Sequence, residues 1–151
     1  MHSSLGNFKV LIIDSDVYLS NIAKAMLKAM GFSNIQITAS GLMALDLIKK
    51  ENYDFVITEW KIKDLDGMSL IKHIRHSPDS PNPTLPIMML TGHKEQPDVQ
   101  EARESGVHEY VLKPFTSQTI YNRLERMIDM PRYFVVGGEF VGPDRRHRQT
   151  Q

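Results

Sequence analysis

Short apolar runs alternate with helical patterns five times along this chain. This alternation constrains the fold more than any other feature. "KVLII" (Lys9–Ile13), "NIQIT" (Asn34–Thr38), "DFVIT" (ending at Thr58), "IMML" (Ile87–Leu90) and "EYVL" (Glu109–Leu112) are short, apolar and mostly rich in β-branched residues. Such runs suit strands covered on both faces. Between them, apolar residues recur at helical spacing, as in Leu19, Ile22, Ala23, Met26, Leu27 and Met30. Asp14, Ser15 and Asp16 offer cap chemistry before the first helix, and Gly31 ends it. Ser40 caps the second helix, whose inner face reads as Leu42, Leu45 and Ile48. Met68–His76 makes a short third helix. The fourth carries Pro97 in its first turn and closes at Gly106. Thr116 caps the fifth, with Ile120, Leu124, Met127 and Ile128 inward. Five βα units imply an α/β fold: a parallel sheet with right-handed crossovers and helices on both faces.

The prolines in Ser77–Pro86 exclude helix or central strand there, leaving a semi-rigid surface loop. The 151 residues are one domain's worth, and formal net charge is zero, which argues against whole-molecule attraction to nucleic acid or anionic membrane. The absence of cysteine excludes disulfides and thiolate metal sites. With no signal-peptide pattern and no apolar run of membrane-spanning length, a cytoplasmic protein without membrane contact is the expectation. No base–nucleophile pair or glycine-rich phosphate loop points to an independent enzyme.

In such a sheet the carboxyl ends of all strands lie on one edge, where ligands bind. Those ends carry Asp14, Ser15 and Asp16 after the first strand, Glu59 after the third, Thr91 after the fourth and Lys113-Pro114 after the fifth. Carboxylates hold Mg²⁺, while hydroxyl and ammonium groups cradle phosphoryl oxygens. Each residue taken alone reads as a cap or strand terminus; their convergence from four parts of the chain suggests a site.

"VLIIDSD", "DFVITEWKIKDLDG", "IMMLTGH" and "EYVLKPF", in this order and spacing, resemble the receiver domain of bacterial two-component response regulators. The resemblance covers roughly Phe8 to Met130. It implies a flavodoxin-like (βα)5 three-layer sandwich with strand order 2-1-3-4-5, an order for which the chemotaxis receiver is itself a standard example. It also implies a phosphoacceptor at the position of Glu59, a phosphoryl pocket of Thr91 and Lys113, and metal positions at Asp14, Glu59 and Asp16. Tyr110 falls on the switch aromatic. The peptide bond between Lys113 and Pro114 is expected to be cis.

Two departures bear on the chemistry. The second metal acid of the pattern is Ser15, with Asp16 one position late. The phosphoacceptor aspartate is Glu59. Glutamate is longer by one methylene, roughly 1.5 Å, and misplacing an attacking atom by about 1 Å can cost ~100-fold in transfer. A longer acid reaches Lys113 or Thr91 and forms a standing charge-assisted bond. The resemblance therefore reads as an atypical single-domain response regulator. It works by protein contact independently of aspartyl phosphorylation, requires no cofactor and holds Mg²⁺ weakly. Its partners would be another signalling protein at the face of the fourth helix, fifth strand and fifth helix, a histidine kinase, or a second copy of itself; DNA is not among them.

A conventional Mg²⁺-dependent phospho-switch is the alternative within the family. A cyclic di-guanylate-binding receiver-like protein, using Arg145, Arg146 and Arg148, is the alternative from another class. Trp60 reads as a lid beside the site or a surface aromatic, and His73, His76 and His93 read as solvated. Residues 1–130 form the receiver and 131–151 a C-terminal extension, in which "RYFVVGGEFVG" suggests a hairpin with a Gly-Gly turn ahead of a basic tail. A lone hairpin is marginal in water, so it needs a surface to cover.

Overall fold

The computed structural model describes residues 3–129, 134–137 and 140–144. A short 3-10 helix, Ser3–Asn7, leads into β1 (Lys9–Ile13), α1 (Val17–Met30), β2 (Asn34–Thr38), α2 (Gly41–Lys50) and β3 (Phe55–Thr58). Then come α3 (Gly67–His76), β4 (Ile87–Thr91), α4 (Gln96–Glu104), β5 (Glu109–Leu112) and α5 (Ser117–Asp129). Two further strands follow, β6 (Phe134–Gly137) and β7 (Phe140–Pro143). The five parallel strands run in the order β2-β1-β3-β4-β5, with Ile13 beside Thr58 on β3 and Thr38 on β2. This is the flavodoxin-like arrangement.

Strand alternation divides the core in two. Leu11, Ile13, Val56 and Met89 point to the side packed by α2, α3 and α4, where Ala44, Ile48, Leu70, Ile71, Ile74 and Ala102 lie buried. Val10, Ile12, Phe55, Ile57, Met88 and Leu90 point to the other side, against Ala23 and Leu27 of α1 and Ile120, Leu124 and Met127 of α5. Because successive side chains of a strand face opposite ways, an all-apolar strand needs this double cover.

The caps form as their residues dictate. Asp16 accepts from Leu19 N, Ser40 from Met43 N, Asp66 from Ser69 N, and Thr116 from Thr119 N. Gly31 closes α1 at φ 116°, in the left-handed region glycine tolerates. The Lys113–Pro114 bond is cis.

One inner-face expectation is corrected. Leu42 is exposed, and the row that faces the sheet is Gly41, Ala44 and Ile48. Gly41 lies directly under the β3–α3 loop: a Cβ there would stand 1.8 Å from the Leu65 carbonyl oxygen. That close approach turns the Gly41 row inward and leaves Leu42, about 100° further round, in solvent. Asp64 reinforces the contact from outside the helix, accepting from Gly41 N at 2.8 Å and from the Ser40 hydroxyl.

β6 and β7 form an antiparallel hairpin in which Gly137 pairs with Phe140. Gly137 is thus a strand residue, which corrects the expected Gly-Gly turn. The hairpin packs on its own chain. Phe134 lies 5.0 Å from the Arg75 guanidinium and 5.6 Å from the His108 ring, and α3 touches β7. Arg75 is buried and donates to the Gly106 carbonyl from two nitrogens and to the Pro83 carbonyl at 2.7 Å. This one side chain therefore ties α3 to the proline-rich loop, the end of α4 and the hairpin.

Gly106 has φ 101°, and a Cβ on it would meet the Val141 carbonyl oxygen at 2.5 Å. Gly106→Ala should therefore destabilise the fold by about 1–2 kcal/mol, roughly 2–8 °C in Tm for a chain this long. Thermal melts check this; an unchanged Tm would show that the hairpin does not press on this glycine.

Candidate functional site

The carboxyl ends of β1, β3 and β5 bring Asp14, Glu59 and Lys113 together around one ammonium group. Lys113 Nζ lies 2.8 Å from Asp14 Oδ2 and 2.8 Å from Glu59 Oε2. The second oxygen of each acid is also engaged. Asp14 Oδ1 accepts from Asp16 N at 2.9 Å, and Glu59 Oε1 accepts from Trp60 N at 2.5 Å. Register sets the two acids side by side: Asp14 N donates to the Thr38 carbonyl, and Glu59 N to the Ile13 carbonyl. Gly67 completes the acid's surroundings, since a Cβ there would be 2.2 Å from the Glu59 carbonyl oxygen.

Burial works against the charge on Lys113, but its hydrogen bonds to Asp14 and Glu59 outweigh it and raise the pKa above the usual lysine value. Thr91 is fully buried, and its hydroxyl oxygen accepts from His93 N at 3.3 Å. Tyr110 is also buried, and its hydroxyl donates to the His93 carbonyl at 2.5 Å. Burial, with the Asp98 and Glu59 charges behind it, pushes that phenol up to about 12.

Above the cluster lies an open cleft of about 600 Å³ bordered by Asp14, Glu59, Lys61, His93, Asp98 and Lys113. Two of its features were not read from the sequence. Trp60 is half-buried and stacks on His93, with ring centroids 4.8 Å apart and planes 17° from parallel. His93 also places Nδ1 3.4 Å from Asp98 Oδ2. His93 is therefore not a free solvated histidine, because Trp60 and α4 hold it on two sides. No short-range spacing announces a contact between residues 33 positions apart. His73 and His76 are exposed, as expected.

The oxygen donors at this edge already have partners. Asp14 and Glu59 share Lys113, Asp16 is committed to capping α1, and Ser15 Oγ donates to the Ala39 carbonyl at 3.3 Å. Among the described residues no three His, Asp or Glu side chains gather to hold a cation. Arg145, Arg146 and Arg148 lie outside the described residues. No helix among the described residues is long and apolar enough to cross a membrane.

A parallel 2-1-3-4-5 sheet with two acids paired to one lysine at its carboxyl edge defines a flavodoxin-like protein with a charged cluster at its strand ends. A model of the response regulator receiver domain matches residues 10–125, and the chain belongs to that family. It is 36% identical over 123 residues to the chemotaxis protein CheY-3 of Vibrio cholerae, covering 82% of this chain and 93% of that protein. A solved structure of a putative response regulator from Chloroflexus aurantiacus is 30% identical, with TM-score 0.74, over 81% of this chain and 98% of that one. The receiver domain of a sensor histidine kinase from Pseudomonas aeruginosa shares the fold at 24% identity, with TM-score 0.71, over 81% of this chain and 98% of that one. That structure holds a magnesium ion in its active-site cleft.

Lys113→Met leaves Asp14 and Glu59 facing each other without a cation. It should cost about 1–3 kcal/mol at neutral pH, less than the ~3–5 of a fully buried pair because the cluster borders an open cleft. Adding Glu59→Gln should recover part of that loss. For the wild type, the sign follows from a raised lysine pKa: the stabilisation is complete below the ordinary lysine value and declines as pH rises through the folded one. Denaturant titrations of the three proteins across pH 7 to 11 check both expectations.

Proposed function

We propose that this response regulator acts as an atypical receiver. Its output passes through contact of the α4–β5–α5 face with another signalling protein, and phosphorylation at residue 59 is not required. One observation carries the reading: Glu59 already occupies the lysine that a phosphoryl group on this residue would need. Its other carboxylate oxygen folds back onto Trp60 N, so both oxygens already hold a partner. Asp14, the other acid of the cluster, is engaged in the same way.

In-line phosphoryl transfer is governed by position and by neutralisation of the donor phosphates. Glutamate alters the first, and Ser15 removes a charge from the second. The bond to Lys113 supplies a standing negative charge where a modified acid would carry about two. Such a charge suits a module that presents one form of its surface continuously, with a second signalling protein or another copy of the chain as its partner.

Incubation with acetyl phosphate and Mg²⁺, followed by intact mass, should show no acyl phosphate. A stoichiometric adduct on Glu59, acid-stable and labile to hydroxylamine, would instead support a conventional Mg²⁺-dependent phospho-switch. Glu59→Asp combined with Ser15→Asp should gain an adduct that depends on Mg²⁺, while Glu59→Asp alone gains less.

A further inference from the structure

We propose that Trp60 and His93 form a clasp between the β3–α3 and β4–α4 loops that keeps Tyr110 turned inward. The α4–β5–α5 face then stands in one form with no modification at residue 59. This rests on the reading above and supplies what that reading lacks, namely a reason for the face to stay fixed.

Four attachments converge on His93. Its ring lies against Trp60 at 4.8 Å and beside Asp98 of α4 at 3.4 Å. Its backbone N–H donates to the Thr91 hydroxyl, and its carbonyl accepts the Tyr110 hydroxyl. The ring contacts tie the loop to the residue next to Glu59 and to the first turn of α4. The backbone contacts tie it to β4 and β5. Gly92, just before His93, faces open space: a Cβ there would meet nothing within 4 Å.

Aromatic pairs gain from offset stacking in addition to the area they bury. Trp60 is anchored on its other side by the hydrophobic core, and Gly67 N donates to its carbonyl at 2.7 Å. The stack therefore fastens the β4–α4 loop to a side chain that the core already holds. The same loop position gives the Thr91 hydroxyl oxygen a backbone donor, while Glu59 and Asp14 both pair with Lys113. The two groups that would sense a new charge at residue 59 are thereby held by partners already present.

The state of Tyr110 can be read without a binding partner. A phenol held inward titrates high, and one released to water titrates near 10. The chain has five tyrosines, and Tyr53 is also raised to about 12, so ¹³Cζ NMR with Tyr110→Phe as the assignment control is the suitable method. The wild-type Tyr110 signal should titrate near 12.

His93→Ala should bring it down toward 10 and shift Trp60 emission to the red, with the far-UV circular dichroism of the wild type retained. His93→Phe keeps a ring against Trp60 while losing the Asp98 contact, and should hold Tyr110 near 12. A Tyr110 that stays near 12 in His93→Ala would overturn the clasp. So would an equal fall in both variants, which would make Asp98 the holding contact. Either result leaves the phosphorylation reading standing, because the acetyl phosphate measurement decides that one separately.

Discussion

A single ammonium group sits between two carboxylates at the carboxyl edge of the sheet. Lys113 is 2.8 Å from Asp14 and 2.8 Å from Glu59, and the rest of the site follows from how its charge is shared. Three charged groups drawn toward the interior are tolerated because each is paired and the outer oxygens are met by backbone donors. The cost of this arrangement is chemical. On the function proposed above, an acid held by a lysine and by Trp60 N attacks poorly, and an aspartate held by the same lysine binds a cation weakly. Glutamate makes the commitment closer, since its extra carbon carries the carboxylate to the lysine while still allowing the fold back to the backbone.

The sheet makes this possible by placing β1 and β3 side by side and β5 two strands away, with their carboxyl ends in register. The β3–α3 loop runs out of the cluster and is fastened twice: by Gly67 under the Glu59 carbonyl, and by Asp64 and Leu65 over the start of α2. The hydrogen bond that the Ser40 hydroxyl donates to Asp64, with the backbone donors of Gly41 and Leu65, pulls its carboxyl down to about 2. These contacts concern the loop that carries Trp60, and Trp60 in turn meets the loop that carries His93. Local steric requirements near the acid thus extend, contact by contact, toward α4 and Tyr110.

Strand positions, helix caps and the residues around Lys113 were legible because they depend on local pattern. β-branched runs mark strands, Ser40 and Asp16 mark helix starts, and a parallel sheet sends all strand ends to one edge. Leu42 was misread because the sequence shows apolar spacing but not the Leu65 carbonyl that turns Gly41 inward. Gly137 reads as a turn residue because two adjacent glycines look alike to a turn rule, whereas in the structure it pairs with Phe140. The Trp60–His93 stack and the burial of Arg75 gave no sequence signal, since both depend on contacts between distant segments. Arg75 sits in "KHIRH", where its charge suggests solvent; only the packed structure shows the Gly106 and Pro83 carbonyls and the Phe134 ring that receive it.

The most direct measurement is a crystal structure of the wild type grown with Mg²⁺ and beryllofluoride, a mimic of the phosphoryl group. The account predicts that Glu59 stays on Lys113 and Trp60 N with no beryllium on its oxygens. Beryllofluoride bonded to a Glu59 oxygen, with a divalent cation ordered beside Asp14 and Lys113 turned toward the fluorines, would contradict it.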